Sequence, residues 1–193
     1  MQSAKSALVS VSHRLACNGW VPATSGNFSS RIDGQSVLIT ASGKDKALLT
    51  EDDLLEVDLS GVPLQQGIPS AETELHLQLY RRDQTIGAVL HTHSVNGVFL
   101  SHQEDMIRFE NLEILKAFPG IDSHEAHIDI PVFPNTQDMV SLSMQVETRM
   151  QTAGQGVAYL IAGHGLYTWG ATLEDCVRHI EALEYLFEYQ RLK

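Results

Sequence analysis

Two short apolar runs limit most strongly what this 193-residue chain can fold into. Ile86-Gly87-Ala88-Val89-Leu90-His91 and Val157-Ala158-Tyr159-Leu160-Ile161 have the length of strands and are too short for buried helices. Neither alternates with polar residues, so each reads as a strand inside a sheet covered by helices. Both also run directly into histidines, at Leu90-His91-Thr92-His93-Ser94 and at Ala162-Gly163-His164-Gly165.

The remaining segments supply the layers. Residues 3–18 place Ala4, Ala7, Leu8, Val11 and Leu15 on one helical face, ended by Asn18-Gly19. Asp33-Gly34 between Phe28–Ile32 and Val37–Thr40 reads as a hairpin, and Leu54–Leu59 as a further strand. Ser70 is placed to cap a helix through Arg82. Further helices are expected near 94–102, 111–118 and 136–152, and strands near 127–133 and 157–162. Thr172-Leu173-Glu174-Asp175 fits a capping box, followed by the stripe Leu173, Cys176, Val177, Ile180, Leu183 and Phe187. With no internal repeat or linker, residues 1–193 read as one α/β domain, strands and helices interspersed without a strict βαβ rhythm.

Twenty-four acidic against thirteen basic residues give a formal charge of −11, which argues against nucleic-acid binding because phosphates demand positive surface. No apolar stretch approaches a membrane span, and Lys5, His13 and Arg14 interrupt the first segment, so it lacks the core of a secretion signal. A cytoplasmic location is therefore expected. Cys17 and Cys176 fall at apolar helical positions and are expected to be buried core thiols.

In a strand, His91 and His93 point the same way, roughly 6–7 Å apart at Cα, close enough to share one metal ion. Alone, His-x-His also arises as two surface histidines. His164, between two glycines, is a third ligand or simply a turn residue. Three histidines with an open position would make a catalytic rather than a structural site. His124 and His127 read as a solvated turn, and His13, His76, His102 and His179 as structural residues of helices.

Two carboxylates compete for acid/base work beside such a metal. Glu72 lies at a helix start, where it also complements the helix dipole. Glu113 lies among Leu112, Ile114, Leu115 and Phe118, where burial is expected to raise its pKa. Three turns offer hydroxyl and backbone donors for an anion: Thr24-Ser25-Gly26-Asn27, Ala41-Ser42-Gly43-Lys44 and Ser70-Ala71. Each is also an ordinary turn, and the phosphate-loop pattern is absent.

Taken in order, S-G-N-x-S, S-G-K, P-S-x-E, H-x-H and a late H-G resemble the class II aldolase/adducin family over about residues 5–190. Gly163–Gly170, Glu110-Asn111-Leu112-Glu113 and Glu184–Gln190 look like its methylthioribulose-1-phosphate dehydratase branch. The resemblance implies a three-layer α/β/α fold with a largely antiparallel central sheet, and a homotetramer with active sites at subunit interfaces. It implies zinc on His91, His93 and His164. It puts phosphate binding on Asn27, Ser42, Gly43 and Ser70, with Lys44 as an addition. The acid/base matches Glu72 in the aldolases and Glu113 in the dehydratase branch. The expected reaction is dehydration of 5-methylthioribulose 1-phosphate in methionine salvage. An aldolase or epimerase acting on another sugar phosphate is the alternative.

Overall fold

A computed structural model describes residues 3–193 of the protein. Eight strands form one sheet: β1 (Asn27–Arg31), β2 (Ser36–Thr40), β3 (Leu54–Asp58), β4 (Ala88–Thr92), β5 (Met106–Glu110), β6 (His127–Phe133), β7 (Ala158–Ile161) and β8 (Gly165–Gly170). Their spatial order is β3-β2-β1-β4-β8-β7-β6-β5, antiparallel throughout except for the β6–β7 pair. Five α-helices accompany the sheet: α1 (Ala4–Cys17), α2 (Thr73–Arg82), α3 (Val95–Leu100), α4 (Met139–Ala153) and α5 (Leu173–Leu192).

The central strand β4 explains the layering. All five of its residues are buried, and alternate side chains enter different cores. Ala88 and Leu90 pack in a cluster with Leu8 and Leu15 of α1 and Ile180 and Leu183 of α5. Val89 joins the opposite cluster with Leu75 and Leu79 of α2 and Leu142 and Val146 of α4. An apolar run without alternation is thus the signature of a strand sandwiched between two helical layers, and the α/β/α expectation holds.

Local chemistry sets the element ends. Ser3 accepts from the Ser6 N–H to start α1, and Thr172 from the Asp175 N–H to start α5, as the capping pattern predicts. Asp33 Oδ1 takes the N–H groups of Gln35 and Ser36 at 2.8 Å each, closing the β1–β2 hairpin. Four expectations are corrected. The segment 111–118 is not an α-helix: only a 3₁₀ turn spans Glu113–Ala117. Helix α2 begins at Thr73, with Glu72 and not Ser70 in the cap position. Met106–Glu110 and Gly165–Gly170, assigned to no strand from sequence, are β5 and β8. Cys17 is exposed, because α1 turns that side of its last turn to solvent; Cys176 is buried as expected.

Candidate metal centre

Strand register assembles the site. Asn27 of β1 lies opposite His91 of β4, His91 opposite Tyr167 of β8, and Tyr167 opposite Tyr159 of β7. Directly paired residues share a face, so four strands present one row of side chains. The His91 ring stacks on Tyr167 at 4.1 Å, and Tyr167 on Tyr159 at 4.9 Å. His93 lies just past the end of β4, its N–H donating to Trp20 O at 2.7 Å. His164 occupies the tight β7–β8 turn, where its N–H returns to Ile161 O. That turn needs Gly165: a Cβ there would sit 2.1 Å from Thr92 O and 3.1 Å from the His91 ring. Glu72 comes from the helical layer that covers this face, at the start of α2, and its carboxylate makes no cap bond.

These four side chains converge. Nε2 of His91 lies 2.7 Å from Nε2 of His93 and 3.3 Å from Nε2 of His164. The Glu72 oxygens approach Nε2 of His91 and of His164 at 3.3 Å each. One ligating atom from each residue lies within 4.8 Å of all the others. His91 donates its Nδ1–H to Leu166 O at 2.9 Å, which leaves the Nε2 lone pair turned inward. Burial pushes the His91 pKa well below its ordinary value and that of His93 to about 4, keeping both rings neutral. Burial pushes the Glu72 carboxyl up, but His91, His164 and the Tyr167 hydroxyl that donates to it more than offset this, and its pKa is lowered. Inward lone pairs at such spacing repel unless a cation lies among them. Three imidazoles and one carboxylate fit a divalent transition metal, with Glu72 the ligand most readily exchanged for water or substrate.

The three candidate anion turns meet at the rim. Ser42 N–H donates to Ile68 O at 2.9 Å, Ser70 N–H to Thr40 O at 3.2 Å, and Ala41 bridges to Pro69. Gly26, at φ +73°, lets the first turn press on β4: a Cβ there would lie 2.7 Å from His91 O. Asn27 Oδ1 accepts from His76 Nε2 at 2.5 Å. His76 Nδ1 accepts from Ser29 Oγ at 2.7 Å, and Tyr80 lies 2.8 Å further on. The Asn27 oxygen is thereby occupied, so this residue offers amide N–H groups to a ligand.

Lys44 and Glu113, both named from the sequence, have partners of their own in the structure. Lys44, half exposed, pairs with Asp53 at 2.8 Å and pulls the Asp53 carboxyl down to about 2, so its charge is already neutralised. Glu113 is not buried: it is exposed and bonded to Lys116 at 2.5 Å, which lowers its pKa instead of raising it. The apolar neighbours Leu115 and Phe118 go into the core while Glu113 points outward from the 3₁₀ turn, and it lies outside the Glu72–histidine group.

Three residues of the site escaped sequence reasoning. His76 stands four residues after Glu72 on α2, a same-face spacing that was readable. Tyr167 is identified only by strand register. Lys46 lies two residues beyond the Ser42-Gly43-Lys44 motif and is buried.

Comparison with known proteins agrees with this architecture. The family model described as Class II Aldolase and Adducin N-terminal domain matches residues 6–191. A methylthioribulose-1-phosphate dehydratase from Pseudomonas fluorescens (strain Pf0-1) is 51% identical over 173 residues, covering 88% of this chain and 83% of that relative. A second, from Alcanivorax borkumensis, is 48% identical over 187 residues, covering 96% and 89%. The solved structure of L-fuculose-1-phosphate aldolase from Thermus thermophilus superposes with a TM-score of 0.74 at 30% identity, covering 100% and 97%. By sequence and fold together, the chain belongs to the class II aldolase and adducin N-terminal domain family.

Proposed function

We propose that the protein is a zinc-dependent dehydratase converting 5-methylthioribulose 1-phosphate to 5-methylthio-2,3-dioxopentyl 1-phosphate and water. The observation that carries this reading is the Glu72, His91, His93 and His164 group, set beside anion-binding turns in a chain about half identical to relatives named for that reaction. His91, His93 and His164 hold the metal, and Glu72 completes the donor set. Zinc bound there supplies Lewis-acid polarisation of a substrate carbonyl.

The chain's own groups do the rest. The Asn27 amide, the Ser42 and Ser70 hydroxyls and the Gly43 backbone receive the phosphate and fix the position of the reacting carbons. Glu113 takes the C3 proton, and loss of the C4 hydroxyl as water leaves an enol that ketonises. Its exposed position gives Glu113 this role only where a second subunit meets it, so the reading includes a homotetramer with sites at subunit boundaries. We place the enzyme in the cytoplasm, in methionine salvage; among the described residues no helix is long and apolar enough to cross a membrane.

The burial of Glu72 within the histidine group favours a second reading, an aldolase or epimerase on another sugar phosphate with Glu72 as the acid/base. Turnover of 5-methylthioribulose 1-phosphate by zinc-loaded Glu113→Gln and Glu72→Gln variants separates the two. Loss of turnover in Glu113→Gln with metal content unchanged supports the dehydratase; full activity in Glu113→Gln rejects its assigned base.

A further inference from the structure

Lys46 is the one lysine of this chain among the largest fully buried side chains, at 1% exposure. Its ammonium donates to Thr24 O at 3.1 Å and to Lys44 O at 2.7 Å, one carbonyl from each of the first two anion turns. Among the described residues no carboxylate lies within ion-pair distance of it. Neighbouring Asp45 uses its Oδ1 on the Ala47 N–H, and Glu72 is engaged by the histidines and Tyr167. An ammonium has three N–H groups, so one remains after the two carbonyls are served. Burying a cation against neutral dipoles alone costs several kcal/mol, and an arriving anion removes that cost.

The position of the charge is informative as well. Lys46 holds Thr24 O of the turn that presses on the His91 backbone at Gly26 and sets Asn27 opposite His91, and it holds Lys44 O of the second turn, so its ammonium lies where those two turns meet. Its backbone is pinned from α1, where the Ser12 hydroxyl donates to Lys46 O at 2.8 Å. The ammonium is therefore held in place before any ligand arrives.

We propose that Lys46, and not Lys44, supplies the fixed positive charge of the anion site, donating its third N–H to a phosphate group while tying the two turns together. The inference rests on the sugar-phosphate reading above and adds the residue that selects for a phosphorylated ligand. It also accounts for anion binding by a chain with a net charge of −11: the whole-molecule field is opposed locally by one buried cation.

Inorganic phosphate is the probe, titrated calorimetrically into the metal-loaded protein. Lys46→Gln removes the charge and the third N–H while leaving a shorter, neutral amide with two N–H donors on the side of the Thr24 and Lys44 carbonyls. It is expected to bind phosphate roughly tenfold or more weakly at unchanged metal content, the size of one lost charged hydrogen bond. Lys44→Gln is expected to stay within about twofold, since its charge is already spent on Asp53. Unchanged phosphate affinity in Lys46→Gln, or a loss confined to Lys44→Gln, overturns the proposal. Should Lys46→Gln not fold, a crystal of the wild-type protein with phosphate decides: an oxygen at about 2.8 Å from Lys46 Nζ supports it, and phosphate bound away from Lys46 overturns it. Because no turnover is read, Lys46-dependent phosphate binding without dehydration of 5-methylthioribulose 1-phosphate would remove the dehydratase assignment and leave this inference standing.

Discussion

The His91 ring is fixed on three sides at once: Tyr167 stacks on one face, Leu166 O takes its Nδ1–H, and burial keeps it neutral. Replacing it with Ala removes one inward nitrogen and the stacking partner, and is expected to lower bound metal from about one per chain to less than a tenth, read by elemental analysis. Glu184 of α5 supplies a second prediction. It is 4% exposed, and burial, reinforced by Glu188 and opposed by the Ser94 hydroxyl, pushes its pKa from 4.5 up to about 7. The folded protein therefore keeps a proton that the unfolded chain releases, so this group favours folding most at low pH. Its contribution is lost as pH rises from about 4.5 to 7, and the full difference is on the order of 3 kcal/mol. Glu184→Gln should flatten that part of the curve of Tm against pH; an unchanged slope would show that Glu184 does not titrate there. At this scale the sequence disclosed the histidines that converge and little of their surroundings. His91, His93 and His164 stood out in combination and through the family resemblance, since His-x-His alone also arises as two surface histidines and His164 alone as a turn residue. The expected burial of Glu113 failed, because apolar neighbours in sequence do not bury a residue on the outward side of a 3₁₀ turn.

Strands β4 and β8 carry the site, and their contact depends on glycine. Gly165→Ala would place a methyl 2.1 Å from Thr92 O, backbone that cannot move without shifting the His91 and His164 strands together. A loss of about 3 kcal/mol in denaturant unfolding, with weaker metal binding, is expected. By contrast Lys44→Ala breaks only a half-exposed ion pair and should change stability by about 1 kcal/mol or less. The helices α1, α4 and α5 and the β1–β2 hairpin were legible because apolar stripes, caps and Asp-Gly punctuate them. Strand β8 was hidden, since its two terminal glycines and its histidine-linked start read as a loop motif. Strand β5 was hidden although Met106–Glu110 alternates; its pairing with β6, including Arg108 with Asp129 at 2.7 Å, comes from 21 residues away.

Across the whole molecule, the sheet brings together segments far apart in sequence. Asn27, the turns near Ser42 and Ser70, Glu72, His91 and His164 come from most of the length of the chain and meet at one end of the central strands. No periodicity announces that meeting; strand order creates it, and the order of motifs along the chain signalled it only through family resemblance. The account makes the assembled site a dehydratase. The direct measurement is to incubate the purified zinc-loaded protein with 5-methylthioribulose 1-phosphate and follow the products by NMR. The account predicts stoichiometric appearance of the 2,3-dioxopentyl phosphate, abolished by chelation and restored by zinc. Aldol cleavage fragments, or unaltered substrate under saturating metal, would contradict it.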